Sequence, residues 1–257
     1  MTVGCTGQGS DTELVVGASQ TLYDVALPEK MQMTGDRSEL WAAVGGSAAP
    51  VVNPTTRQPI AVYPEGTGNM ALSPDGESLV TILAVEDIPK EWESRYPPSY
   101  PGFATLIKAG HQDLSAADGV FYVGDYVLVA LKTGLITSLT GAPTAIRAGW
   151  WANDATPAWS DDGKAVVLPG TFVSDNFGPT ARPCVAAVDL SRSHSWQCLE
   201  PLKRNLAMGF EPEYKKIVTT SFVQGKNDEV VLKYRDPDNS HEGSTMFVRD
   251  ASNPLIS

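Results

Sequence analysis

One four-residue turn occurs twice, and it constrains the fold more than any other feature of the chain. Ser73-Pro74-Asp75-Gly76 returns in looser form as Ser160-Asp161-Asp162-Gly163. Each copy lies between apolar, strand-like segments. Met70-Ala71-Leu72 precedes the first and Leu79 to Leu83 follow it; Ala158-Trp159 precedes the second and Ala165 to Leu168 follow it. Asp-Gly is a hairpin signal because glycine accepts a positive φ and aspartate bonds its own backbone. The same turn twice implies a repeated β unit.

Other segments keep the rhythm. Tyr126 to Leu131, a Lys132-Thr133-Gly134 turn and Leu135 to Leu139 read as strand, turn, strand, and so do Val185 to Leu190 and Trp196 to Leu199 around Ser191 to His194. Residues 126–139, 156–173 and 184–202 alternate an inner hairpin with an outer one, the order of a four-stranded blade. Fainter copies of the turn unit are Glu211-Pro212-Glu213 before Ile217 to Thr220, and Met33 to Arg37 before Leu40 to Val44. The two clear copies start 87 residues apart, at 73 and 160. That is close to two blades at about 40 to 50 residues each. An irregular insertion, near 86–119, shares that interval. The expectation is an all-β chain: a partial or open β-propeller of three to four blade-like units over 21–257, after a flexible segment at 1–20. An open stack leaves sheet edges and an apolar face exposed, so the expectation is a chain that either forms a homo-dimer or is marginally stable.

The insertion holds Trp92, Tyr96, Tyr100 and Phe103 among Pro97, Pro98 and Pro101. Proline donates no ladder bond, so this is not a central strand. Its rings either contact a substrate or partner, since aromatics give much contact area at little entropic cost, or plug the sheets, with Trp92 and Phe103 covering core. Trp150-Trp151 forms a second aromatic loop with the same two readings.

A formal net charge of −11 argues against a nucleic-acid or anionic-membrane surface, which needs a basic patch. No apolar run reaches the roughly 18 residues of a membrane-spanning helix. Three cysteines make neither a disulfide framework nor a zinc site. Cys184 and Cys198 fall on one expected hairpin, and a cross-strand disulfide follows if the register brings them opposite; otherwise they are two small buried hydrophobes.

Catalytic chemistry is not legible in these residues. No G-x-S-x-G elbow occurs; Gly45-Gly46-Ser47-Ala48-Ala49 and Gly17-Ala18-Ser19-Gln20-Thr21 lack its last glycine. His111, His194 and His241 have no histidine at metal-ligand spacing. Asp236 to Glu242 is carboxylate-rich but carries His241 where a calcium loop has glycine. The pairs Asp161-Asp162 and Glu211/Glu213 sit in expected turns, and Gly66-Thr67-Gly68 lacks the third glycine of a dinucleotide loop. No cofactor is expected.

Ala158-Trp159-Ser160-Asp161-Asp162-Gly163-Lys164, together with the Ser-Pro-Asp-Gly copy, resembles the blades of TolB-type bacterial propellers. Tyr126 to Gly141, Gly149-Trp150-Trp151, Pro157 to Thr171 and Arg182 to Leu202 are similar to the amino-terminal propeller of bacterial prolyl-oligopeptidase-like serine peptidases, closest in element order to the lasso-peptide isopeptidase branch. The resemblance covers roughly residues 65–225. It implies a propeller that gates a carboxy-terminal α/β-hydrolase domain and contributes peptide-substrate contacts, the triad residing in that other domain. None of the triad maps onto this chain. The alternative is a stand-alone TolB-like propeller that binds protein partners. The expected location is periplasmic or secreted, with the cytoplasm as the alternative; Thr2-Val3-Gly4-Cys5 faintly resembles the end of a lipoprotein leader but no apolar segment stands before it.

Overall fold

The computed structural model describes residues 12–16, 38–44, 47–62, 70–96, 107–114, 122–145, 155–174, 178, 181–191, 195–203, 205–206, 209–210, 216–235 and 242–248. The described chain is mostly strand, in antiparallel sheets, with almost no helix. The first sheet joins β1 (Thr12–Val16), β2 (Ser38–Val44), β3 (Ser47–Pro50) and β4 (Ala61–Val62), with β2 central. The second runs β5 (Ala71–Leu72), β6 (Ser78–Ala84), β9 (Gly124–Ala130), β10 (Leu135–Pro143). Between β6 and β9 stand the ribbon β7 (Asp87–Ile88) with β8 (Gly110–His111), and the helix α1 (Lys90–Arg95). The third sheet is β11 (Ala158–Trp159), β12 (Ala165–Thr171), β13 (Cys184–Asp189), β14 (Ser195–Pro201). A short ribbon, β15 (Asn205–Leu206) with β16 (Gly209–Phe210), precedes the fourth sheet: β17 (Lys216–Val223), β18 (Lys226–Arg235), β19 (Glu242–Val248). In the second, third and fourth sheets strand neighbours follow chain order, as simple meanders.

The two turn copies share their main hydrogen bonds. Ser73 N–H donates to the Ser78 carbonyl at 2.8 Å and Ser160 N–H to that of Ala165 at 2.9 Å. Each serine hydroxyl donates to the aspartate two residues on, at 2.5 Å to Asp75 and 2.8 Å to Asp162. Each also accepts from the backbone five residues on, 2.9 Å from Ser78 and 2.9 Å from Ala165. Gly76 and Gly163 close the turns at φ 72° and 68°, a conformation that glycine adopts without a Cβ penalty. The serine hydroxyl thereby stands in for a ladder partner, and both serines are buried. It also holds the Asp75 carboxyl below the usual carboxylate range, with help from the Glu77 backbone N–H.

Alternation along the strands stacks the sheets. On β6, Leu79 packs with Leu40, Val51 and Val62 of the first sheet, whereas Val80 and Ile82 pack with Val166, Leu168 and Val188 of the third. On the third sheet the opposite parity, Val167, Val185 and Ala187, meets Ile217, Val230 and Leu232 of the fourth. Sheets buried on both faces read as continuous apolar runs, and β12 is buried at every position. Each such side chain contributes about 1.5–3 kcal/mol by leaving water. The fourth sheet differs: Ile217, Thr220, Val230 and Leu232 are buried, while Thr219, Ser221 and Lys233, on the other parity of the ladder, are exposed. Val231, on that same parity, is half-buried.

Thr12–Val16, within the 1–20 segment, pairs along its length with β2. Among the described residues, the interval between the turn copies holds the β5–β10 meander and the insertion before β11 begins. The insertion carries a helical turn around Trp92. Residues 33–37 and 211–215, the fainter turn copies, lie outside the described residues.

Candidate functional site

Strand direction sorts the connections onto two ends. Tight turns at 73–76, 131–134, 160–163 and 224–225 all lie at one end. There Trp159 Nε1 donates to the Ala71 carbonyl at 2.9 Å, and Asp161 Oδ2 accepts the Gly225 N–H at 2.7 Å. A Cβ built on Gly134 would lie 1.8 Å from the Val52 carbonyl oxygen, so the 131–134 turn is pressed against the first sheet. The long connections from β6 to β9, β10 to β11 and β12 to β13 leave from the other end. Loops with function concentrate where a rigid scaffold presents them, which makes this long-connection end the candidate site.

Single side chains fasten that end. The Gln112 amide donates to the carbonyls of Val85 and, at 2.9 Å, Val123, and its Oε1 accepts the Val123 N–H at 2.8 Å. It thus replaces a peptide unit across the ends of β6 and β9. Trp92 is buried, and its indole Nε1 donates to the Gly141 carbonyl at 3.2 Å. Tyr96, 1% exposed, tilts against Phe172 with ring centroids 4.8 Å apart. The Arg95 carbonyl accepts the Gly178 N–H at 2.9 Å, and Glu93 accepts that of Ala109 at 3.0 Å. The second and third sheets are joined here through Phe172 N–H to Pro143 O (3.0 Å) and Ala145 N–H to Gly170 O (3.1 Å).

Of the expected contact residues, Trp92 and Tyr96 therefore belong to the core, because their rings are more stable against Phe172 and Ile107 than in water. Buried there, they position the insertion. Tyr100, Phe103, Trp150 and Trp151 lie outside the described residues. Cys184 and Cys198 are thiols, not a disulfide: the register sets Cys198 opposite Ala186 and Cys184 opposite Pro201, with a bulge between. Both pack with Val173 and Ala186, as small hydrophobes do.

Sequence reasoning missed Gln112 and Asp125. Asp125 is 6% exposed on β9, and burial pushes its carboxyl up to about 7 against the opposing Ser138 hydrogen bond. Ser138 Oγ donates to Asp125 Oδ2 at 2.5 Å and accepts the Gly141 N–H at 2.9 Å. With no imidazole between them, the pair lacks the base that activates a serine nucleophile. His111 instead pairs with Asp87 at 3.2 Å, both exposed, an interaction worth about 0–1 kcal/mol. Among the described residues no three His, Cys, Asp or Glu side chains converge on a metal position. No described helix is long and apolar enough to cross a membrane.

These features define an all-β protein of stacked antiparallel meanders with one end of tight turns and one of long, side-chain-fastened connections. Compared with known proteins, the chain matches no family model, no curated protein and no solved structure.

Proposed function

We propose that this chain is a β-propeller module, the non-catalytic, access-gating part of a prolyl-oligopeptidase-like serine hydrolase, contributing contacts to peptide substrate from its long-connection end. One observation carries the reading: consecutive meanders repeat the same bonded turn and stack face to face in chain order. Their first strands also approach one another, through Trp159 Nε1 to the Ala71 carbonyl. The Thr220 hydroxyl reaches the Thr156 carbonyl at 2.7 Å and ties the fourth sheet to the start of the third. Radial blades whose first strands crowd an axis have this relation. Connections gathered at one end filter ligands by size and flexibility.

The test is an assay of the purified chain against ester and peptide substrates, beside a binding measurement with a library of extended peptides. The reading predicts peptide binding in the micromolar range without turnover. Hydrolysis abolished by replacing a single serine, or no peptide binding at all, overturns it.

A further inference from the structure

We infer that Asp125 and Ser138 form a proton-operated catch on the root of the β6–β9 connection, closed while Asp125 holds its proton and opened when that proton passes to water. Asp125 stands opposite Leu83 of β6 and Pro143 of β10, where the β9–β10 register slips between Ser138 and Pro143. Its Oδ1 meets no hydrogen-bond donor among the described residues, and Thr81 Oγ1, on the neighbouring strand, is likewise unsatisfied. This face of the sheet packs against Leu40, Val51 and Val62. From β6 the facing side chains are Thr81 and Leu83, and from β10 Ser138 and Pro143, none of them charged. Among the described residues, burial raises its ionisation point, and the Ser138 hydroxyl and a backbone bond at Tyr126 oppose that rise. A neutral acid is tolerated in such a site, whereas a carboxylate lacks the donors that it needs.

The catch is wired to the insertion by consecutive hydrogen bonds. Ser138 Oγ bonds Asp125 and takes the Gly141 N–H, and the Gly141 carbonyl takes the Trp92 indole that anchors α1. On the other side, the Gly124 carbonyl takes the Thr144 N–H at 2.9 Å, and Val123 is the residue that Gln112 clamps. Ionising Asp125 draws water to the bulge at 138–143. Gly141 then moves, and Trp92 loses its acceptor. The folded site keeps its proton up to about pH 7, well above the ordinary carboxylate range of the unfolded chain. The stability that the protonated site contributes is therefore complete below the unfolded value and is lost as pH rises through about 7.

Amide hydrogen exchange at about pH 5.5 and about pH 8.5, corrected for intrinsic rates, tests this on the full chain. Protection of residues 90–96 and 138–143 is expected to fall at least about tenfold more than that of β12 and β13, and Asp125→Asn is expected to abolish the difference. The same pH response in Asp125→Asn, or no selective loss in the wild type, overturns the inference. If Asp125→Asn does not fold, a carbon-13 titration of the wild-type carboxyl decides. A midpoint near 7 supports the catch, and one below about 5 overturns it.

Discussion

The two ends of the sheets hold together in different ways. At the turn end each chain reversal is satisfied locally: a serine, an aspartate and a glycine within four residues satisfy it, and the copy at 160 repeats the copy at 73. Trp159 and Asp161 then tie neighbouring sheets together. At the long-connection end the fastening is distributed. Gln112 reaches 27 residues back to Val85 and 11 forward to Val123, and Trp92 reaches 49 residues forward to Gly141. A short-range device survives changes elsewhere in the chain, while a long-range one works only when the fold has already brought its partners together. The turn end is thus the scaffold, and the other end is the part that can change without unmaking it.

The largest effect expected from disturbing this contrast is at Phe172, fully buried at the long-connection end against Tyr96. Phe172→Ala should cost about 3–5 kcal/mol in denaturant unfolding, showing that the insertion is seated on the main core. A loss under about 1 kcal/mol would mean that the insertion rests on the scaffold without joining it. Next come the turn serines. Ser160→Ala leaves the Ala165 N–H without its hydroxyl acceptor and should cost about 1–3 kcal/mol; Ser73→Ala should cost nearly the same, because its hydroxyl makes the same two main bonds. Unequal costs would break the equivalence of the two copies. The smallest global effect belongs to Gln112→Ala, about 1 kcal/mol, with exchange accelerated at 85–88 and 110–112 and unchanged in β12. Uniform acceleration would erase the distinction between the ends.

Legibility in the sequence divides along the same line. The hairpins at 126–139 and 184–202 and both Asp-Gly turns were readable because their chemistry lies within a few residues. Strand faces were readable wherever apolar runs were continuous, as from Ala165 to Leu168. The insertion misled because Trp92 and Tyr96 carry the same signal whether exposed to a ligand or turned inward, and only Phe172 and Ile107, far along the chain, decide it. Asp125 escaped notice because its burial depends on the first sheet packing over β9, which no nearby residue reveals. The disulfide failed on register, which a bulge between Val185 and Ala186 sets and no residue spacing reveals.

Photo-cross-linking of an extended peptide to the intact chain, with the labelled residues mapped by mass spectrometry, tests the central claim most directly. The account predicts labels at the long-connection end, within 86–96, 107–114 and 172–174, and none on the turns at 73–77, 160–164 or 224–227. Labels concentrated on those turns, or spread evenly over both ends, would contradict it.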